Sequence, residues 1–364
     1  MRTDTRHGIT GPTEKRDKNP TNGPQRIYDL CGMGNPLVDV LFKVDDGFLA
    51  SNGLNRGVMH LIDKKRKDEL LRLLEGREKV VEIGGSCPNT ILTLARLGAR
   101  VALTGKIGND EYGDYFEKSV TERGIVSFLR RSTYDTGICT ILITPDKERT
   151  MNTYLGACRE YSVDDLPVDM IANSRYFYVT GYMWDTKKQK EAISYALEIA
   201  KENRVKIVFD IADPFAVERH RDDFLQIIEH SADIVFANAQ EAHLLNEARL
   251  LDDRNIETAI AELGRSCELA VVKNGAKDTH LCSSGTILKV PSFKTRAIDT
   301  TGAGDNFAAG FLYGLIQGLP VEQCGIIASF VASKTIEKIG AQAPMNIREL
   351  VQPLIQVSGR SGPQ

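Results

Sequence analysis

The chain has 364 residues, 42% hydrophobic and 26% charged, with a formal net charge of −3 at pH 7. That length supports a sizeable buried core, and the near-balanced charge gives no reason to expect nucleic acid or an anionic membrane as a partner. No apolar run approaches a membrane span and the N-terminus has no apolar signal region, so the expected location is the cytoplasm. The seven cysteines include no Cys-x-x-Cys pair, and their simplest role is that of reduced, buried, small apolar residues; this holds for Cys87 too, although it lies inside a glycine-rich stretch. The six histidines show no metal-ligand spacing.

Residues 1–25 are polar, contain Gly and Pro and lack periodicity, so a disordered tail is expected there and again over 358–364. Residues 26–357 contain no linker and no internal repeat, which predicts one continuous domain. In chain order, 38–44 and 57–62 look extended. The stretch Gly84-Gly85-Ser86-Cys87-Pro88-Asn89-Thr90 then leads into an apolar helix over 91–97, and 136–144 is extended again. Beyond residue 175 strands alternate with helices. Strands are predicted over 176–180, 206–210, 233–236 and 269–272. Helices are predicted over 187–203, around 224–230, from near 240, and over 256–264. Such alternation predicts a parallel sheet with helices on both faces, and ligands at the carboxyl ends of its strands. Asn238, Asn274 and the run 299–305 each follow a predicted strand, so they can meet at one edge.

The run Asp299-Thr300-Thr301-Gly302-Ala303-Gly304-Asp305 carries the most chemistry. It follows an alternating segment, 294–298, that reads as a strand end, and precedes a stretch with Phe307, Phe311, Leu312, Leu315 and Ile316 at helical spacing. Glycines therefore sit where a strand turns into a helix, with a carboxylate in the first helical turn. Unobstructed amides at a helix N-terminus bind anions. A carboxylate beside them would repel a phosphate unless it served to accept a proton from a hydroxyl attacking that phosphate. The plainer role for Asp305 is to complement the helix dipole.

This run resembles the C-terminal signature of the PfkB (ribokinase-like) carbohydrate and nucleoside kinases. The resemblance extends to Cys31-Gly32-Met33-Gly34-Asn35-Pro36-Leu37-Val38-Asp39, to the stretch 84–90 and to the pair Asn238 and Glu241, in matching order over roughly 27–355. It implies an α/β ribokinase-like fold with a mostly parallel sheet, helices on both faces and a small β-lid built from segments near 38–62 and 136–155. A lid suits phosphoryl transfer to an alcohol, which must exclude water. The resemblance also implies ATP and Mg2+ as cofactors, with K+ as a further candidate, and a small nucleoside or sugar as substrate. It leaves monomer and homodimer both open.

The implied roles fall on particular residues. Asp305 is the general base, and Gly302, Ala303 and Gly304 offer amides to the transferring phosphate. Asp299 and Thr301 match residues of a monovalent-cation site, or else cap the turn. Asp39, with Asn35 before it, binds adjacent hydroxyls of the acceptor. Asn89, after Gly84 and Gly85, binds an acceptor hydroxyl or caps its helix. Asn238 and Glu241 organise ATP phosphate and Mg2+ through water, or form a capping pair. Arg149, in Glu148-Arg149-Thr150, clamps the phosphate or is a solvated surface residue. Gly275 lies in the nucleotide-side loop, although Asp278 stands where many relatives carry a second glycine.

The stretches 34–39 and 149–157 look most like the adenosine-kinase branch of the family. An adenosine site needs an apolar or aromatic slot for the base, for which Tyr154 and the lone Trp184 are candidates. The expected activity is thus an ATP-dependent kinase acting on a primary hydroxyl, with adenosine first and a ribokinase- or fructokinase-type sugar kinase second. A non-catalytic nucleoside or sugar sensor is the reading outside the class. A Rossmann oxidoreductase is disfavoured, because Gly32-x-Gly34 lacks the third glycine of the dinucleotide fingerprint.

Overall fold

The computed structural model describes residues 26–246 and 256–358; the tails expected over 1–25 and 358–364 lie outside them apart from Ser358, which ends the helix Ile347–Ser358 rather than starting a tail. The first strands are β1 (Tyr28–Met33), β2 (Leu37–Lys43), β3 (Met59–Leu61), β4 (Lys79–Gly84), β5 (Val101–Thr104), β6 (Lys106–Gly108), β7 (Val126–Ser127) and β8 (Arg130–Ser132). They are followed by β9 (Gly137–Ile143), β10 (Arg149–Tyr154), β11 (Ser174–Thr180), β12 (Lys206–Asp210), β13 (Ile234–Asn238), β14 (Leu269–Lys273), β15 (Thr279–Ser283) and β16 (Thr286–Val290).

The larger sheet has the order β16-β15-β14-β13-β12-β11-β1-β5-β7. It is parallel from β7 through β14, and the hairpin β15–β16 adds an antiparallel edge. Its strands are apolar on both faces because helices cover both. Along β11, Tyr178 enters one core while Phe177 and Val179 enter the other. The first core packs against the helices Ser86–Leu97, Ala303–Ile316 and Val321–Thr335. The second packs against Lys187–Glu202, Pro214–His230, Ala239–Asn246 and Ile256–Ser266. Period-two burial on the strands and period-3.6 burial on the helices are the two patterns that make this layering.

A smaller sheet, ordered β3-β10-β9-β2-β4, forms the expected lid. It has its own small cluster of Leu41, Cys139 and Ile141. The expected segments supply β2, β3, β9 and β10, and β4 completes an edge that sequence reading did not include. A further two-stranded pair joins β6 to β8. Among the described residues no helix is long and apolar enough to cross a membrane.

The strands expected over 176–180, 206–210, 233–236 and 269–272 and the helices expected over 187–203 and 256–264 form within a few residues of their expected bounds. The helix expected around 224–230 begins ten residues sooner, at Pro214, where Asp213 caps it by accepting from the Phe215 amide at 2.7 Å. The strand end expected over 294–298 is a loop. Its side chains are mostly exposed, so alternation has no buried face to serve, and the amides of Ile298 and Asp299 bond instead to the Ile336 carbonyl after the helix Val321–Thr335. The 299–305 run is therefore delivered by a tethered loop.

Candidate active site

Two helix N-termini converge at Asp305. Ala303–Ile316 begins after Gly302, which is left-handed at φ 71°; a Cβ there would stand 2.4 Å from the Ala341 carbonyl oxygen. Both demands select glycine. Ser86–Leu97 begins after Gly85, at φ 101°, where a Cβ would stand 2.3 Å from the Asn35 carbonyl oxygen. Neither helix has a side-chain cap. The Ala303 amide, expected to face the phosphate, donates instead to the Thr300 carbonyl at 3.2 Å, so the open first-turn amides are those of Gly304 and Asp305 in one helix and of Ser86 and Cys87 in the other. Asp305 lies between them. Its Oδ1 accepts from the Ser86 hydroxyl at 2.7 Å and its Oδ2 from Asn89 Nδ2 at 3.0 Å. Burial pushes the Asp305 carboxyl up to about 6, against the pull of these two hydrogen bonds. It is a fixed carboxylate with basicity suited to proton transfer near neutral pH.

Residues 300–305 line a cavity of about 720 Å³ between the two sheets. Asp39 of β2 faces it from the smaller sheet. A Cβ on Gly84 would stand 2.3 Å from Asp39 Oδ2, so glycine there gives the carboxylate its place. Burial and the Glu82 carboxylate opposite it in register push Asp39 up to about 7. Asn35 also lines the cavity, but both ends of its amide are engaged: Nδ2 donates to the Tyr182 carbonyl and Oδ1 accepts from Gln189 Nε2, each at 3.0 Å. It is a strut between the β1–β2 turn and the helix Lys187–Glu202. Asn89 keeps one buried oxygen, Oδ1, without a partner among the described residues, while its Nδ2 serves Asp305.

Arg149, on β10, turns away from solvent. It pairs with Asp299 and donates to the Thr301 hydroxyl at 3.0 Å. Asp299 also accepts from the amides of Thr301 and Gly340, at 3.1 and 2.7 Å. Sequence reading assigned these three residues to two separate jobs, and the structure joins them in one contact between the smaller sheet and the glycine loop.

Asn238 and Glu241 close on each other. The Asn238 amide and Nδ2 donate to Glu241 at 2.7 and 2.6 Å, and the Glu241 amide donates to Asn238 Oδ1 at 2.8 Å. This is a reciprocal helix cap. Burial pushes Glu241 up to about 7. Among the described residues no cluster of three acidic, His or Cys side chains could cage a metal. Glu241 is buried, does not line the cavity and has both oxygens accepting from Asn238, so it offers a metal no open ligand, and a Mg2+ ion that keeps its waters would meet it only through them. Gly275 sits in a turn at φ 60° with nothing within 4 Å of a Cβ, an open edge just beyond β14.

Sequence reading missed Ser86 as a partner of Asp305, and it missed Asp210 and Lys273, at the carboxyl ends of β12 and β14. The signal for Lys273 was a lysine ending an otherwise apolar strand. Of the two aromatic candidates, Trp184 lines the cavity and Tyr154 does not; the Tyr154 ring lies under the Lys67 ammonium, 4.9 Å from its centroid. Phe215, 65% exposed, lines the cavity instead.

Residues 58–348 match the family described as pfkB family carbohydrate kinase. The adenosine kinase of Saccharomyces cerevisiae is 29% identical over 86% of this chain and 96% of its own. The adenosine kinase structure from Sinorhizobium meliloti superposes with a TM-score of 0.81 at 34% identity, covering 90% of this chain and 99% of that one. A probable sugar kinase from Rhizobium etli gives 0.82 at 33% identity, covering 90% and 98%. A fixed carboxylate between open helix N-termini, on a fold shared with these kinases, is what transfer of a phosphoryl group to a hydroxyl requires. The chain belongs to the pfkB carbohydrate kinase family and is a phosphotransferase with an alcohol acceptor.

Proposed function

We propose that the protein transfers the γ-phosphoryl group of ATP to a primary hydroxyl of a nucleoside, adenosine first. The observation that carries this reading is Asp305, held by Ser86 and Asn89 between open helix N-termini and facing the cavity. Asp305 takes the proton of the acceptor hydroxyl, and the amides of Gly304 and Asp305 meet the charge developing on the phosphoryl oxygens. Gly302 and Gly304 keep that approach clear. Asp39 and the unpartnered Oδ1 of Asn89 accept from acceptor hydroxyls and so orient them. Gly275 and Asn238 border the nucleotide phosphates, and Glu241 holds Mg2+ through water. Mg2+, when bound, neutralises charge on the phosphates.

Adenosine is favoured by the wall of the cavity. Leu37, Met59 and Met151 supply apolar surface on one side, and Trp184 and Phe215 supply aromatic surface on the other. The Trp184 indole nitrogen already donates to Asp223 at 2.7 Å, which leaves its ring for packing. Such a slot suits a purine better than a free sugar. The likeness to the Rhizobium etli protein supports the second reading, a sugar kinase.

ATP consumption against a panel of nucleosides and free sugars tests both. Turnover on adenosine with none on ribose or fructose is expected; turnover on a sugar alone would keep the chemistry and replace the acceptor. Repeating the assay with potassium against choline reads whether Asp299 and Thr301 exchange the Arg149 guanidinium for a monovalent cation.

A further inference from the structure

One charged group at the strand ends has no part in the chemistry described so far. Lys273 closes β14 in register with Asn238 of β13. Its stem lies over Phe236, with Nζ 5.9 Å from the ring centroid. Nζ meets the Asp210 carboxylate oxygens at 3.3 and 3.4 Å. These contacts are longer than the roughly 2.7–2.9 Å of a tight ammonium–carboxylate bond. Asp210 is 1% exposed and also accepts from the Tyr178 hydroxyl at 3.1 Å. An ammonium has about three N–H donors to place, and Asp210 is the acceptor found for Lys273 among the described residues.

The same nitrogen reaches the glycine loop. It stands 3.4 Å from where a Cβ on Gly304 would be, the nearest atom to that point outside the glycine's own neighbours and helix backbone among the described residues. Gly304 is in the first turn of Ala303–Ile316, so its amide has no acceptor within the helix. The ammonium therefore lies beside the Gly304 backbone, one residue before Asp305. Burial works against the lysine's proton, but the Asp210, Glu241 and Asp305 carboxylates outweigh it and raise its pKa. The other cation near the loop, Arg149, is held by Asp299 and Thr301. A phosphate entering beside Asp305 and Asp210 needs a positive partner there, and Lys273 is poised to supply it.

We propose that Lys273 is a further catalytic residue: its ammonium contacts the transferring phosphoryl group at the Gly304 amide, with Asp210 holding it in place. The claim rests on the phosphotransfer reading above. In the step, the acceptor oxygen bonds to the γ-phosphorus, its proton passes to Asp305, and the bond to the bridging oxygen of ADP breaks. Lys273 keeps its proton and offsets charge on the non-bridging oxygens.

Lys273→Met tests the claim beside Lys273→Met/Asp210→Asn. A lysine that served only as counter-ion to Asp210 would be dispensable once Asp210 was neutral. The expected result is a fall in kcat of about a hundredfold or more in both variants, with acceptor KM moving less than about threefold. Recovery of turnover in the double variant, or near-normal turnover in the single one, would overturn the proposal. Lys273→Gln decides the matter if Lys273→Met does not fold: its amide can still donate to Asp210 but carries no charge, so it should melt like the parent while losing turnover, and retained turnover would overturn the proposal. Calorimetric binding of inorganic tripolyphosphate to each variant separates this claim from the kinase reading. If the parent phosphorylates no alcohol, the kinase reading fails; weakened tripolyphosphate binding in Lys273→Met or Lys273→Gln would still support the cation site, and unchanged binding would overturn it.

Discussion

Asp305 illustrates how one side chain acquires a job from its surroundings. Desolvation raises its pKa to about 6, while Ser86 and Asn89 hold both oxygens in place. Asp305→Asn keeps the shape and removes the proton acceptor. It should fold, retain ligand-dependent shifts in Tm and lose about a thousandfold in kcat, the scale of a general base; near-normal turnover would remove Asp305 from the mechanism. The pH dependence follows from the same group. The base works deprotonated, so kcat/KM should rise with pH through an acid limb near 6 and flatten above it. A flat profile from pH 5 to 8 would contradict that shift. Asp305 was legible in the sequence because the glycine run fixes it to the first helical turn. Its partner Ser86 lies 219 positions away, and no local pattern announces a contact of that span.

At the scale of elements, the contact between β10 and the glycine loop decides how the two sheets enclose the cavity. The Arg149 and Asp299 side chains are 10% and 6% exposed, so removing one partner strands the other away from water. Arg149→Ala should lower the unfolding free energy by about 3 kcal/mol and raise the acceptor KM, because β10 loses its tie to the loop. Denaturant unfolding with and without Asp299→Asn checks this. The double variant should recover stability, and an unchanged midpoint in Arg149→Ala would show that the pair carries no weight. The loop itself was misread as a strand end over 294–298. Alternation there was real, but exposed residues need no register, and the loop hangs from the Ile336 carbonyl. The strand β4 was missed for a related reason. Lys79, Val80 and Val81 carry little burial pattern, and pairing with β2 is what makes the segment a strand.

For the molecule as a whole, burial pushes three carboxyls up together: Asp39 to about 7 and Asp305 to about 6 on the cavity wall, and Glu241 to about 7 in the helix cap after β13. The sign for stability follows. A carboxyl with a raised folded pKa binds protons more tightly in the folded state, so its stability contribution is complete below its ordinary pKa and is lost as pH rises through the folded value. For Asp39 that window runs from 3.8 to about 7. Asp39→Asn should therefore gain Tm relative to the parent by an amount that grows across this window and levels off above it. A difference in Tm that is constant with pH would contradict the shift. The same substitution should weaken acceptor binding, so stability and function trade against each other at this residue.

The sequence by itself determined the layered fold and the place of the reaction. Alternating strands and helices bury apolar faces at periods of about 2 and 3.6 residues, and the run 299–305 marks the anion site with Gly302 at a left-handed turn that favours glycine. Tertiary structure alone decided which side chains share a contact. It brought Ser86 and Asn89 onto Asp305, paired Arg149 with Asp299 and set Lys273 between Asp210 and Gly304. The physical reason is range: periodicity and turn chemistry are local, whereas hydrogen bonds and desolvation act between groups that only the packing of distant segments brings together.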